Sequence, residues 1–161
     1  MEPSGPTLLR LEQQARRAGT GLEPTDLRGR WDLQQVWPKS GGQPSTLSSQ
    51  LLRALAARLE IDTDDDGLLL SNAVTLGPFE LRFRGRGALQ GRRPLLVFGF
   101  DQLELSLAGR RLLQRNLPSA DPRRRPFFAL IHRHQDGWLA ARGRGGGLAL
   151  WQLAGDPGLR R

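Results

Sequence analysis

Residues 138–153, WLAARGRGGGLALWQL, decide the fold. Two short apolar segments, each with one tryptophan, flank a glycine-rich turn that carries Arg142 and Arg144. Trp138 and Ala140 alternate with Leu139 and Ala141, and Leu148 and Leu150 with Ala149, Trp151 and Leu153. A period of two is the mark of strands buried on at least one face. The stretch therefore reads as the closing β-hairpin of a small β-rich domain that closes into a barrel. Its glycines allow a tight path, and Trp138 and Trp151 are expected to help seal an end.

Moving upstream, Gln135-Asp136-Gly137 is a hairpin signal, and Phe127–Ile131 is a strand apolar on both faces. The clearest β region is 68–107. Leu68, Leu70, Asn72, Val74 and Leu76 alternate up to a Gly77-Pro78 turn. Phe79, Leu81 and Phe83 then share one face, with Glu80, Arg82 and Arg84 on the other. Gly85 and Gly87 keep the inner parity, which predicts a bend or bulge in preference to room for a ligand. After the turn at 91–94, Leu96, Phe98 and Phe100 have one parity and Leu103, Leu105 and Leu107 the other. The switch near Asp101–Gln102 predicts a β-bulge in a long, coiled strand. A turn at Gly109 leads through Leu112, Leu113 and Leu117 into a polar loop, PSADPRRRP, at 118–126.

Nearer the N-terminus, Leu27–Leu33 opens the first strand, with Trp31, Leu33 and Gln35 facing one way. An indole there can plug a barrel end while its N–H finds a partner near the surface. Leu8, Leu11 and Ala15 fall at helical spacing between Thr7 and Ala18, and Gly19 and Gly21 stop that helix. It is expected to cover one end of the domain, a reading preferred to a membrane-surface helix. Leu47, Leu51, Leu52, Leu55 and Leu59 make a second helical stripe, an insertion at about 47–60 that IDTDDDG (61–67) would end. The expected organisation is an N-terminal helix and connector (1–26), a β-barrel (27–153) and a tail (154–161).

The chain has 161 residues, enough for one domain with its own core, and no cysteine, so neither a disulfide framework nor a thiolate metal site arises. Twenty-four basic residues against 16 acidic ones give a net charge of +8, which favours anionic partners. Among the basic residues only Lys39 is lysine. No apolar run reaches the roughly 18 residues of a membrane-spanning helix. The first residues lack a signal-peptide core, and Glu2 and Glu12 argue against a transit peptide. The expected location is cytoplasmic, with any membrane contact peripheral.

Catalytic and metal motifs are weak. Asp62, Asp64, Asp66 and Gly67 match the opening of a calcium loop, but its twelfth position is Ala73 where a bidentate glutamate belongs. His132 and His134 share a strand face, with Asp136 alone as a nearby third ligand. No nucleophile elbow, zinc-protease helix or P-loop is present, so no catalysis, metal or cofactor is expected. RFRGRG (82–87), RRR (123–125) and RGRGGG (142–147) bring to mind the Arg-Gly segments that stack on RNA bases and neutralise phosphates. Strand-forming Phe, Leu and Ala interrupt them and tyrosine is absent, so nucleic-acid binding stands as the alternative function.

Three segments resemble the plastid lipid-associated proteins, also called plant fibrillins. Leu27-Arg28-Gly29-Arg30-Trp31-Asp32-Leu33 is similar to that family's first strand, and Asn72-Ala73-Val74 to its asparagine-led second-strand segment. Arg142-Gly143 through Gly147-Leu148-Ala149-Leu150 resembles its C-terminal strand. The resemblance implies a lipocalin-like antiparallel β-barrel of about eight strands, of cyanobacterial type. It further implies non-catalytic binding or carriage of a lipid, prenyl quinone or carotenoid near thylakoid membranes. The barrel interior that would hold such a ligand is expected to include Trp31, Asn72, Phe79, Leu81, Phe83, Phe98, Phe100 and Trp151, with Asn72 orienting a headgroup. Arg82, Arg84, Arg86, Arg142 and Arg144 are expected to meet an anionic surface.

Overall fold

The computed structural model describes residues 1–39, 58–118, 121, 123 and 125–155. Helix α1 spans Gly5–Ala18; the Ser4 side chain caps it by accepting from the Thr7 amide, and Gly19, at φ 77°, ends it. A short 3-10 turn, Pro24–Leu27, leads into β1 (Gly29–Trp37). The strands that follow are β2 (Arg58–Asp64), β3 (Gly67–Leu76), β4 (Phe79–Gln90) and β5 (Leu95–Leu107). β6 (Arg110–Asn116), β7 (Phe127–Arg133), β8 (Trp138–Gly143) and β9 (Leu148–Gly155) complete them.

Every pairing is antiparallel, in the order β4-β3-β2-β1-β9-β8-β7-β5-β6, and β4 also pairs with β5. Eight strands thus form a ring, which β1 and β9 complete from the two ends of the chain. The ninth, β6, lies outside it. Leu95–Val97 of β5 pair with β7, whereas Gln102–Leu107 pair, on the same edge, with β6. β6 and β7 therefore follow one another along β5 as a single strand position interrupted between Asn116 and Phe127.

Strand alternation sends side chains to two separate cores. Inside the ring, Trp31, Leu59, Ile61, Leu68, Leu70, Leu96, Phe98, Leu130, Leu139 and Trp151 form one cluster. Outside it, Trp37, Ile131, Trp138, Ala140, Leu148 and Leu150 pack with Leu8 of α1. The two tryptophans of the closing hairpin thus face opposite ways, Trp151 inward and Trp138 outward beneath the helix, so they do not share an end. For the same reason α1 lies against the outer side of β7, β8 and β9, where expectation put it over one end.

The expected bulge is present: Arg84 opposes Gln102 and Gly85 opposes Phe100, leaving Asp101 as the extra residue. A Cβ on Gly85 would lie 1.7 Å from the Gly99 carbonyl oxygen, so the inward glycines serve close strand approach. The second helix fares differently. Residues 58–60 are strand, and 61–64 continue β2 instead of ending a helix, because Leu59 and Ile61 alternate into the inner core. The rest of that expected helix, 47–57, falls outside the described residues. β6 is a strand that Leu112 and Leu113 alone did not announce.

Candidate apolar binding surface

The distal halves of β3, β4 and β5, together with β6, extend beyond the ring as a four-stranded wing. Its register decides its chemistry, since directly opposed residues in antiparallel strands share a face. One row across the wing is Leu76, Phe79, Leu107, Arg110; the next is Val74, Leu81, Leu105, Leu113; the third is Asn72, Phe83, Leu103, Arg115. This face continues the parity of the ring's inner wall and is apolar except for Asn72 and the two arginines on β6. The intervening rows, which begin at Thr75, Ala73 and Ser71, carry Glu80, Arg82, Arg84 and Glu104 on the opposite face.

The polar face is closed by ion pairs. Arg58 and Arg82 each bind both Glu60 and Glu80, so two arginines and two glutamates form a cycle. Burial pushes the Glu60 and Glu80 carboxyls up, but the arginine hydrogen bonds and charges outweigh it and hold both below the usual glutamate range. Arg84 pairs with Glu104 at 3.3 Å and Arg86 with Asp64 at 2.8 Å. Two open clefts lie here, one of about 440 Å³ over Asp62, Leu69, Ser71 and Arg86, and one of about 690 Å³ over Glu80, Arg82, Glu104 and Arg111. Most of the charges that line them already have a partner of opposite sign.

Among the described residues, nothing closes the apolar face. Leu76 is 66% exposed, Phe79 44% and Leu113 49%, large values for apolar side chains on a sheet. From it an aromatic chain runs into the ring. Phe83 lies 5.7 Å from Phe100, Phe100 5.4 Å from Phe98, Phe98 5.4 Å from Phe128 and Phe128 5.1 Å from Trp151, centroid to centroid. Phe98 and Trp151 belong to the buried inner core, whereas Phe83, Phe100 and Phe128 are half-buried. The rings make a continuous apolar path from the ring's interior to a surface that the described residues leave uncovered.

Of the residues expected inside, Trp31 is fully buried and donates its indole N–H to the Leu27 carbonyl at 2.8 Å, a partner deep in the core instead of near the surface. Phe98, Phe100, Phe83 and Trp151 lie on the aromatic path, and Leu81 and Asn72 on the wing beside it. Phe79 shares that face but sits at its outer margin. The arginines expected to meet an anionic surface are mostly engaged within the protein. Arg142 binds both carboxylate oxygens of Glu12, at 2.6 and 2.5 Å, and also donates to the Gly146 and Lys39 carbonyls. Arg144 donates to the backbone carbonyls of Arg123 and Arg125.

Glu12, read from the sequence only as an argument against a transit peptide, is 3% exposed and gathers Arg16, Arg93 and Arg142 around it. The Arg142 hydrogen bond, aided by the charges of all three arginines, overcomes burial and holds its carboxyl below the usual range. Elsewhere, Asp62 pairs with Arg28, and the Asp64 carboxylate accepts from the Asp66 amide in a tight β2–β3 turn. His132 and His134 lie 5.9 Å apart, and His134 stacks on Trp138. Burial, with His134 alongside, lowers the His132 pKa. Among the described residues no three potential ligands converge as a metal would need. Among the described residues no helix is long and apolar enough to cross a membrane. No known protein-family model, curated protein or solved structure matches this chain.

Proposed function

We propose that the protein binds or carries a hydrophobic molecule, such as a lipid, quinone or carotenoid, without catalysis. The ring would act as a lipocalin-like barrel whose inner wall opens onto the wing. One observation carries this reading: the aromatic chain from Trp151 to Phe83 leads without a polar break from the buried core to an apolar face that the described residues leave uncovered. An elongated apolar molecule lying along it would exchange water for aromatic and leucine surface, at about 25 cal/mol per Å² covered. Asn72, whose amide makes no side-chain hydrogen bond among the described residues, borders the path and would take a polar headgroup. Peripheral residence near thylakoid membranes belongs to the same proposal.

The test is mass spectrometry of an organic extract of the protein purified from its native host. The expected result is an apolar molecule in near-stoichiometric amount. A clean extract, together with no quenching of tryptophan fluorescence by an added polyene, would overturn the reading. The nucleic-acid alternative draws less support, because Arg82, Arg84, Arg86 and Arg142 each hold a carboxylate partner. It predicts co-purifying absorbance at 260 nm where the lipid reading predicts an extractable molecule.

A further inference from the structure

The +8 charge leaves open which basic residues remain available once the internal ion pairs are formed. On the wing the answer is local. β6, RRLLQRN, contributes Arg110, Arg111 and Arg115, and none of the three is within ion-pair distance of a carboxylate among the described residues. The side chains of Arg110 and Arg115 end two of the apolar rows, so cations stand on the same face as Leu76, Phe79 and Leu113. That face has no acidic residue in any of its three rows. All of β6 is exposed.

We infer that the wing docks on an anionic phospholipid bilayer, with Arg110 and Arg115 at the headgroups and Leu76, Phe79 and Leu113 entering the apolar boundary. Apolar side chains bordered by unpaired cations are what an interfacial element requires, whether helix or sheet. Charge also separates this occupant from a second copy. Two β6 edges paired antiparallel about Leu113 would set Arg111 opposite Arg115, and like charges directly opposed disfavour pairing. The inference rests on the hydrophobic-ligand reading in one respect: the docked face would then be the door through which the ligand passes.

Flotation of the full chain with phosphatidylglycerol-containing and with pure phosphatidylcholine vesicles tests it. Binding is expected on the anionic vesicles only, and it should weaken as salt rises. R110S/R115S should bind roughly twenty-five-fold more weakly, at about fivefold for each arginine lost at an anionic surface. R10S/R17S, on the exposed side of α1 and equal in net charge, should bind as the unmodified chain does. Equal losses in the two double variants, salt-independent binding, or a concentration-dependent dimer without vesicles would each overturn the inference. Polyene binding in vesicle-free solution separates it from the parent proposal. A polyene bound without vesicle binding removes the docking face and keeps the ligand, whereas neither binding removes both.

Discussion

Gly85 on β4 and Gly99 on β5 are neighbours one register step apart, and they should respond to the same substitution in opposite ways. A methyl at Gly85 would strike the Gly99 carbonyl at 1.7 Å, inside any real contact, and the neighbouring atoms are backbone and cannot turn aside. A methyl at Gly99 meets nothing within 4 Å. Gly85→Ala is therefore expected to cost about 3 kcal/mol or more. Gly99→Ala should be neutral or gain up to about 1 kcal/mol through the unfolded chain. Urea titrations of the pair would check both. Trp31→Ala should cost about 3–5 kcal/mol by the same measurement, since it empties the centre of the inner core and strands the Leu27 carbonyl. At this scale the sequence was partly legible: the inward parity of Gly85 and of Trp31 can be read from alternation. The register that brings Gly85 against Gly99 depends on a bulge whose exact place alternation does not fix.

The element that depends most on charge is α1. Its apolar contribution to the outer core is small, chiefly Leu8 with Leu9 and Leu11 alongside, so Glu12 is the anchor that orients it. Glu12→Gln would leave Arg142 and Arg93 without their counter-charge, at a cost of about 3 kcal/mol. The pH dependence follows from the lowered carboxyl. Around the ordinary value of 4.5 the unfolded chain takes up a proton at Glu12 while the folded protein does not, so stability falls as pH drops below that value toward the folded one. Thermal melts at descending pH should show a shallower acid loss in Glu12→Gln than in the unmodified chain, the remainder coming from Glu60, Glu80 and Asp64. The helix itself was legible from its caps and spacing. Its dock was not, because the partners of Glu12 lie 81 and 130 residues away. β6 was hidden for a different reason: all seven of its residues are exposed, so no alternation marks a strand that exists by pairing with β5.

At the scale of the sheet, the arginines of β4 and the closing hairpin that look like a nucleic-acid surface are paired internally at Arg82, Arg84, Arg86 and Arg142, while the other face of β3, β4 and β5 is apolar. The same strands therefore carry a polar exterior and a wall suited to hydrophobic matter. A path-blocking substitution should show which matters for binding: Phe100→Asp is expected to lower polyene affinity more than tenfold, whereas Arg84→Ser, on the opposite face, should leave it unchanged. Tryptophan quenching reads both, and equal effects would contradict the assignment of the two faces.

The closure of the ring by β1 and β9 has a consequence for how the protein is made. Trp31 pairs with Leu153 and Trp37 with Leu148, so β1 waits on the ribosome for β9, more than a hundred residues later. Until then the growing chain presents an open sheet with two bare edges, and Leu8 of α1 lacks the Leu148 and Leu150 side chains of the outer core. Such late, long-range closure slows folding and lengthens the time during which unpaired strands can find the wrong neighbour. A nascent chain arrested before Leu148 should accordingly be protease-sensitive throughout, and gain resistance in one step once β9 is released.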